Sequence, residues 1–328
     1  MHGKSTIDDA AAARDRMRSV PRVAPRRAAA IRGGVREIDV ATNGITLRCL
    51  TAGDGPLAIL LHGFPDSAES WRRQIPILAA AGYRVIAPWL RGYGQSSRPR
   101  RVDAYDIDEL VNDVVGLLAE GDHERAALLV GHDWGGVIAW KLAIDHPELV
   151  EQLVVLNAPH PATFARALRT ADQLARSSYI LFFQLPRLPE LMLRARKWAL
   201  LRRTMQRMVH RPGAWTRSDW LAQRRALGAP GALTAALDYY RAAGRRAQRD
   251  RAAVPATARV RVRTLILWGD LDPVLPATLL DDLGRWVRQL TVRRFADAGH
   301  WVHWDRPNAV ADALLAWASP IRPRSSGA

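Results

Sequence analysis

An aspartate stands where a sharp turn from a buried strand into a helix could expose a nucleophile. The apolar run 127–130 ends in Gly131-His132-Asp133-Trp134-Gly135-Gly136, and a helical pattern follows over 137–146. Gly131 and Gly135 flank Asp133 at two residues' distance, where a β-carbon would clash as the backbone doubles back. This pattern is typical of a nucleophile elbow, whose central side chain is exposed above a sheet. Serine is the usual occupant, so the aspartate decides the class of reaction.

A carboxylate nucleophile suits attack at an sp³ carbon that bears a leaving group, which gives an alkyl ester. Attack at a carbonyl would instead give an anhydride. A base must then activate water against the ester, and N–H donors must hold the resulting oxyanion. The leaving group is either a halide, which needs N–H donors alone, or an epoxide oxygen. The epoxide oxygen leaves as an alkoxide and needs an acid, such as a tyrosine that is still protonated at neutral pH.

Candidates for the base and for a residue that orients it follow the last two predicted strands. His300 lies in the segment 297–301 (DAGHW), after the final strand, from where it could reach back to the elbow. Asp272 lies in the segment 269–273 (GDLDP), and Asp270 competes with it for the same role. The order Asp133, then the acid, then His300 is the order found in α/β-hydrolases.

Candidates for the oxyanion donors are the backbone N–H groups of Phe64 and Trp134. Phe64 lies in His62-Gly63-Phe64-Pro65, after a strand expected beside the elbow, and Pro65 is a candidate cis proline. Five aromatic side chains are predicted to form an apolar substrate pocket: Phe64, Trp134, Phe182, Phe183 and Trp301.

The elements that must position these residues alternate between strands and helices. This alternation predicts a mostly parallel sheet with helices on both faces. Asn43-Gly44 predicts a hairpin turn between the first two strands. The predicted strands are 36–41, 45–51, 57–61, 83–87, 127–130, 152–156, 264–268 and 290–295, and the predicted helices are 70–80, 107–118, 137–146, 277–288 and 308–318.

The alternation breaks in the middle of the chain, which predicts an inserted domain. Residues 160–255 are helical in pattern and rich in arginine, and we expect them to form a lid over the carboxyl ends of the strands. Residues 35–159 and 256–328 are predicted to form the α/β core. Residues 1–34 read as a disordered basic tail without the apolar core of a signal peptide. We therefore expect a cytoplasmic protein.

The charge of the chain is concentrated in the insertion. The formal net charge is +16, and residues 160–255 hold 19 basic and 5 acidic residues, a net charge of +14. No nucleic-acid-binding motif accompanies this charge, so we expect no nucleic-acid partner. The single cysteine, Cys49, excludes an intramolecular disulfide and a cysteine-based metal site.

Half of the six tyrosines lie in the insertion, where they could protonate an epoxide oxygen or merely pack.

From about residue 36 to 318, the chain resembles the α/β-hydrolase epoxide hydrolases of the soluble epoxide hydrolase group. The resemblance lies in the motifs at 62–65 (HGFP), 91–94 (RGYG), 131–136 (GHDWGG) and 297–301 (DAGHW).

The resemblance implies a role for each candidate. Asp133 would be the nucleophile, His300 the base and Asp272 the residue that orients it. Tyr179 and Tyr240, with Tyr239 less favoured, would bind and protonate the oxygen of a lipophilic epoxide. The product would be a vicinal diol, a reaction that serves detoxification, and neither a cofactor nor a metal is implied. The chain departs from the family at Trp89, where members often carry aspartate.

Three alternatives remain open. Haloalkane dehalogenases share the aspartate nucleophile and have a halide donor at the position of Trp134. At the position of their usual second donor, this chain has Phe64. Fluoroacetate dehalogenases carry arginine at the position of Trp134. Separately, residues 188–211 form a basic amphipathic pattern that either packs on the core or lies on an anionic membrane, and we favour packing. The sequence is compatible with a monomer or a homodimer.

Overall fold

An eight-stranded, mostly parallel sheet forms the centre of the protein. The computed structural model describes residues 34–120, 123–249 and 258–318. The strand order is β1-β2-β4-β3-β5-β6-β7-β8. β2 runs antiparallel to β1 and β4, and the remaining neighbours are parallel. The strands are β1 (Arg36–Thr42), β2 (Ile45–Ala52), β3 (Leu57–Leu61), β4 (Arg84–Pro88), β5 (Leu128–His132), β6 (Gln152–Leu156), β7 (Arg263–Gly269) and β8 (Leu290–Phe295).

The central strands are buried because helices cover both faces of the sheet. β3, β5 and β6 are buried at every position, which is why they read as short apolar runs rather than as an alternating pattern. Their carboxyl ends meet at one edge, where the loops after β3, β5, β6, β7 and β8 converge. The helices that accompany the strands are α1 (Gln74–Ala80), α2 (Ile107–Leu118), α3 (Trp134–Asp145), α10 (Val302–Asp305) and α11 (Pro307–Trp317).

Most of the described chain between β6 and β7 is helical, with short loops between the helices. We call residues 160–249 the lid. Hydrogen bonds and ion pairs tie it to the core, among them Gln223 Nε2 to Asp66 Oδ1 at 3.3 Å and Arg245 to Asp103 at 3.1 Å. The lid helices are α4 (Pro161–Ala167), α5 (Ala171–Arg176), α6 (Ser178–Phe183), α7 (Leu188–Met208), α8 (Arg217–Gly228) and α9 (Ala232–Arg249).

The predicted fold class is confirmed, and so are the predicted strands to within one or two residues. Asn43 and Gly44 have φ values of 43° and 72°, as a two-residue hairpin turn requires. Apart from Gly34, the predicted disordered tail lies outside the described residues, and so does the predicted end of the insertion near residue 255.

The predicted helix over 277–288 is wrong. Two short 3₁₀ turns replace it, Ala277–Leu280 and Leu283–Arg285. Between them Asp282 has a left-handed φ of 59°, which no α-helix accepts. Arg166 of the lid binds this turn through the Asp282 carboxylate at 2.6 Å and the Asp281 carbonyl at 3.1 Å. A contact distant in sequence therefore stabilises the non-helical backbone.

The predicted amphipathic helix over 188–211 is not continuous. α7 is interrupted at Ala195–Trp198, and Arg196, Lys197 and Trp198 have φ values of 48°, 56° and 68°. The break lets the second half bury Trp198, Leu201 and Met205, whereas Leu191 in the first half stays exposed. The helix predicted over 70–80 is also interrupted, because a 3₁₀ turn over Ala68–Trp71 precedes α1.

Among the described residues, none of the helices combines the length and the apolar character that a membrane crossing requires.

The close packing at Gly135 predicts a stability loss on substitution. A β-carbon there would lie 2.3 Å from the Leu61 carbonyl oxygen and 2.6 Å from that of His62. We expect Gly135→Ala to lower the free energy of unfolding by about 1–3 kcal/mol, measured by urea denaturation. Gly284→Ala is the matched control, because a β-carbon at Gly284 has no neighbour within 4 Å among the described residues. Equal losses in the two variants would contradict this packing.

Candidate active site

The turn between β5 and α3 exposes the side chain of Asp133. Asp133 has φ 50° and ψ −121°, a strained backbone conformation for a residue with a β-carbon. The turn is possible because Gly131 and Gly135 are small: a β-carbon at Gly131 would lie 2.3 Å from the Gly135 carbonyl oxygen. The geometry is that of the predicted elbow.

Two backbone N–H groups bind the Asp133 carboxylate. The Phe64 N–H donates to Oδ1 at 2.7 Å, and the Trp134 N–H also donates to the carboxylate. The Phe64–Pro65 peptide bond is cis, as predicted. Burial raises the pKa of Asp133 above its ordinary value, while the charge of His300 and the two N–H bonds act in the opposite direction. The same two donors can hold an oxyanion formed on this carboxyl group.

His300 lies between two carboxylates. Its Nδ1 is 2.7 Å from Asp272 Oδ2, and its Nε2 faces Asp133 Oδ2 at 3.7 Å. Burial disfavours the protonated imidazole, but the charge of Asp272 and its hydrogen bond outweigh burial, so the pKa of His300 is raised. An imidazole held in this tautomer can take a proton on Nε2.

The structure separates the two candidate acids after β7. Asp272 is buried, and its Oδ1 accepts hydrogen bonds from the N–H groups of Val274 and Leu275 at 2.9 and 3.0 Å. Asp270 instead pairs with Arg294 at 2.7 Å on the surface. Of the two, Asp272 is the one that contacts His300.

Tyr179 on α6 and Tyr240 on α9 lie together in the lid, with ring centroids 5.9 Å apart. Burial raises the pKa of both phenols, and the charge of Asp133 raises both further. Tyr239 also packs on Trp134, with ring centroids 5.5 Å apart, but its hydroxyl donates to the Arg91 carbonyl oxygen at 2.8 Å. The raised pKa values favour the protonated form of the Tyr179 and Tyr240 phenols.

Aromatic rings surround these phenols. Phe64 packs edge-on against Tyr240 and Phe183, with centroids 5.5 and 5.6 Å apart, and Trp134 packs against Tyr240 at 5.1 Å. Phe182 packs on Phe183 at 5.9 Å. These four predicted pocket residues form one apolar group with the tyrosines.

The fifth predicted pocket residue, Trp301, belongs to a different environment. It is 1% exposed, stacks on Trp304 with centroids 5.4 Å apart, and packs edge-on against His300. Its indole N–H donates to Asp66 Oδ2 at 3.2 Å. We assign Trp301 to packing around His300. Trp89, where the family often has aspartate, packs against Gly94, at which a β-carbon would lie 2.6 Å from the indole ring.

A buried polar cluster adjoins His300. Ligand atoms of Asp66, His132 and His303 lie within 4.8 Å of one another, and residues of these types can hold a metal ion. The cluster also has protein partners: His303 Nε2 is 2.6 Å from Ser70 Oγ, and His132 Nε2 is 2.9 Å from the His300 carbonyl oxygen. Burial raises the pKa of Asp66 to about 7 and lowers those of both histidines. These contacts stabilise the loop that carries His300.

Two residues that sequence reasoning missed support the site. Asn157, after β6, donates to Asp272 Oδ2 at 2.9 Å and accepts from the Gly269 N–H at 2.9 Å. Its position at a strand end was the available signal. Asp305 accepts from the N–H groups of His210 and Arg211 through Oδ1 and from that of Gly299 through Oδ2, at 3.0, 2.9 and 2.8 Å. Asp305 lies on a helix, and its sequence carries no such signal.

The strained elbow, its backbone donors and the His300–Asp272 pair on a mostly parallel sheet define an α/β-hydrolase. The model of the α/β-hydrolase fold family matches residues 56–307. The AB hydrolase superfamily protein YfhM of Bacillus subtilis is 39% identical over 285 residues, covering 86% of this chain and 97% of that protein.

Epoxide hydrolase A of Mycobacterium tuberculosis is 35% identical over 334 residues, covering 89% of this chain and all of that protein (100%). The crystal structure of an epoxide hydrolase from Bacillus megaterium with an inhibitor superposes with a TM-score of 0.77. It is 29% identical and covers 85% of this chain and 99% of that one. The chain belongs to the epoxide hydrolase family within the α/β-hydrolase fold.

The contact between Asp272 and His300 predicts a titration shift. Because the charge and the hydrogen bond of Asp272 raise the pKa of His300, we expect that pKa to fall in Asp272→Asn, measured by NMR titration of the imidazole. Asp270→Asn makes the same change two residues away, on the surface, and should leave the pKa of His300 unchanged. An unchanged pKa in Asp272→Asn would contradict the pairing.

Proposed function

We propose that the protein hydrolyses lipophilic epoxides to vicinal diols through an ester on Asp133. One observation carries the proposal: in an apolar surrounding, the phenols of Tyr179 and Tyr240 lie together beside the two residues whose N–H groups bind the Asp133 carboxylate. A halide leaving group has no use for such acids, whereas an epoxide oxygen needs one. Phe64, Trp134 and Phe183 favour a lipophilic or aryl substrate.

In the first step a carboxylate oxygen of Asp133 attacks one ring carbon of the epoxide. The new C–O bond forms the ester as the ring C–O bond breaks, and the released oxygen takes a proton from Tyr179 or Tyr240. Burial and the charge of Asp133 keep both phenols protonated, because both influences raise their pKa values. An alkoxide in the same buried surroundings is more basic than a phenolate, so proton transfer from the phenol to it is favourable.

In the second step His300 removes a proton from water, and the hydroxide attacks the ester carbonyl carbon. Negative charge then develops on the carbonyl oxygen, where the Phe64 and Trp134 N–H groups stabilise it. The acyl C–O bond breaks, and the departing diol oxygen takes the proton from His300. The proton left on the Asp133 carboxyl group returns through solvent to the phenolate formed in the first step, which restores both groups. Asp272 stabilises the imidazolium formed in between, because its carboxylate accepts from Nδ1 at 2.7 Å.

The haloalkane dehalogenase alternative uses the same Asp133 and differs in the leaving group. Trp134 could donate its indole N–H to a halide, but Phe64 has no side-chain donor to assist it. Incubation with styrene oxide and, separately, with a bromoalkane distinguishes the two activities. We expect diol from styrene oxide, and bromide release without diol formation would overturn the proposal.

Blocking the second step should trap the ester. We expect His300→Gln to accumulate protein heavier by the mass of one epoxide, detected by intact-protein mass spectrometry, because the base for water is missing. Peptide mapping should locate the adduct on Asp133, and Asp133→Ala should form neither adduct nor diol. In a single turnover of the wild type in water enriched in the heavy oxygen isotope, label should enter Asp133. Label found in the diol alone would instead indicate direct attack by water.

Removing a phenolic proton should slow formation of the ester. We expect Tyr240→Phe to lower the rate of the first step about 10²-fold, measured by stopped-flow with styrene oxide. Tyr239→Phe is the matched control on the adjacent residue, and it should keep its rate while losing about 1 kcal/mol of stability with its bond to Arg91. Equal rate losses in both variants would argue against a role for Tyr240 as the acid.

A further inference from the structure

Exposed apolar side chains are concentrated on the lid. Of the eleven large hydrophobic side chains that are exposed among the described residues, eight lie between residues 174 and 221. Five of these follow one another closely along the chain, and we call them the lid patch. They are Leu181, Leu185, Leu188, Leu191 and Met192, which are 72%, 44%, 44%, 69% and 43% exposed.

The packing of α7 leaves this patch uncovered. The second half of the helix buries Trp198, Leu201 and Met205 inside the protein, as an ordinary amphipathic helix does. The first half, before the break at Ala195–Trp198, buries Leu193 but leaves Leu188 and Leu191 exposed. Exposed apolar side chains concentrated in one short segment are typical of an interaction site.

Arginine side chains adjoin the patch. An open groove of about 740 Å³ between α7 and α8 is lined by Arg194, Trp198, Leu221, Arg224 and Arg225, among others. Within the described part of the chain, Arg194 and Arg224 have no ion-pair partner; Arg194 lies 5.8 Å from the Trp198 ring. Guanidinium groups bind phosphate oxygens through paired hydrogen bonds, so the groove suits phosphate headgroups beside an apolar layer.

We propose that the lid patch and the arginine groove dock on an anionic phospholipid bilayer. The leucines enter the apolar boundary of the bilayer while Arg194 and Arg224 bind the headgroups. A second copy of the chain fits this surface less well, because it brings the same net charge of +14 over residues 160–255. Nucleic acid fits less well too, since it offers no apolar layer for the leucines.

The patch adjoins the candidate site through α6. Leu181 is exposed on this helix, while Tyr179 and Phe183 of the same helix face Tyr240. Docking would hold this part of the lid at the layer in which lipophilic epoxides dissolve. That consequence for substrate delivery rests on the proposed function, whereas docking itself does not.

Co-sedimentation of the full chain with vesicles tests the docking. We expect binding to phosphatidylcholine vesicles that contain about one third phosphatidylserine, at about 150 mM salt, and little binding to pure phosphatidylcholine. Leu188→Ser with Leu191→Ser should weaken binding about 10-fold. Arg194→Gln with Arg224→Gln should weaken binding most at low salt, and its difference from the wild type should shrink as salt is raised. Val292→Ser with Leu315→Ser is the control, because these side chains are similarly exposed at 39% and 37% but lie on the core.

Circular dichroism of each variant excludes loss of the fold as the cause. Absence of binding to the anionic vesicles, or equal weakening in the control, would overturn the proposal. So would sedimentation velocity that shows a dimer abolished by the leucine substitutions, or binding to single-stranded RNA in place of vesicles. Hydrolysis of styrene oxide is measured on the same samples without vesicles. A chain that hydrolyses but does not dock refutes the docking alone, and one that docks but does not hydrolyse refutes the proposed function alone.

Discussion

The negative charge on Asp133 is the constraint on which the rest of the site depends. Burial favours the neutral carboxyl group, which would be a poor nucleophile, and the N–H groups of Phe64 and Trp134 with His300 oppose that tendency. His300 in turn depends on Asp272, and Asp272 on Asn157. The network therefore extends from Asp133 through His300 and Asp272 to Asn157, across the loops after β5, β8, β7 and β6. Each residue stabilises the charge of the one before it.

Much of this network could be predicted because each residue lies at the end of a strand. In a parallel sheet the carboxyl ends of the strands meet at one edge, so residues far apart in sequence come together without any knowledge of their packing. That rule brought Phe64, Asp133, Asp272 and His300 to one place. The choice between Tyr239 and Tyr240 followed from the resemblance to the family. In the structure the Tyr239 hydroxyl donates to the Arg91 carbonyl oxygen.

The remaining features depend on contacts that the local sequence does not encode. The left-handed Asp282 is held by Arg166 of the lid, so a helical pattern over 277–288 gave the wrong element. The break in α7 serves the burial of Trp198, Leu201 and Met205, which depends on the shape of the core beneath them. Trp301 was predicted in the pocket with the other aromatic side chains, yet its indole N–H donates to Asp66.

Asp305 joins the lid to the loop that carries His300 with one carboxylate. Its Oδ1 accepts from the backbone of His210 and Arg211 in the lid, and its Oδ2 accepts from Gly299 beside His300. The span between two carboxylate oxygens is fixed, so these two segments cannot separate without breaking hydrogen bonds. One side chain therefore couples the position of the lid backbone at 210–211 to the position of the imidazole next to Gly299.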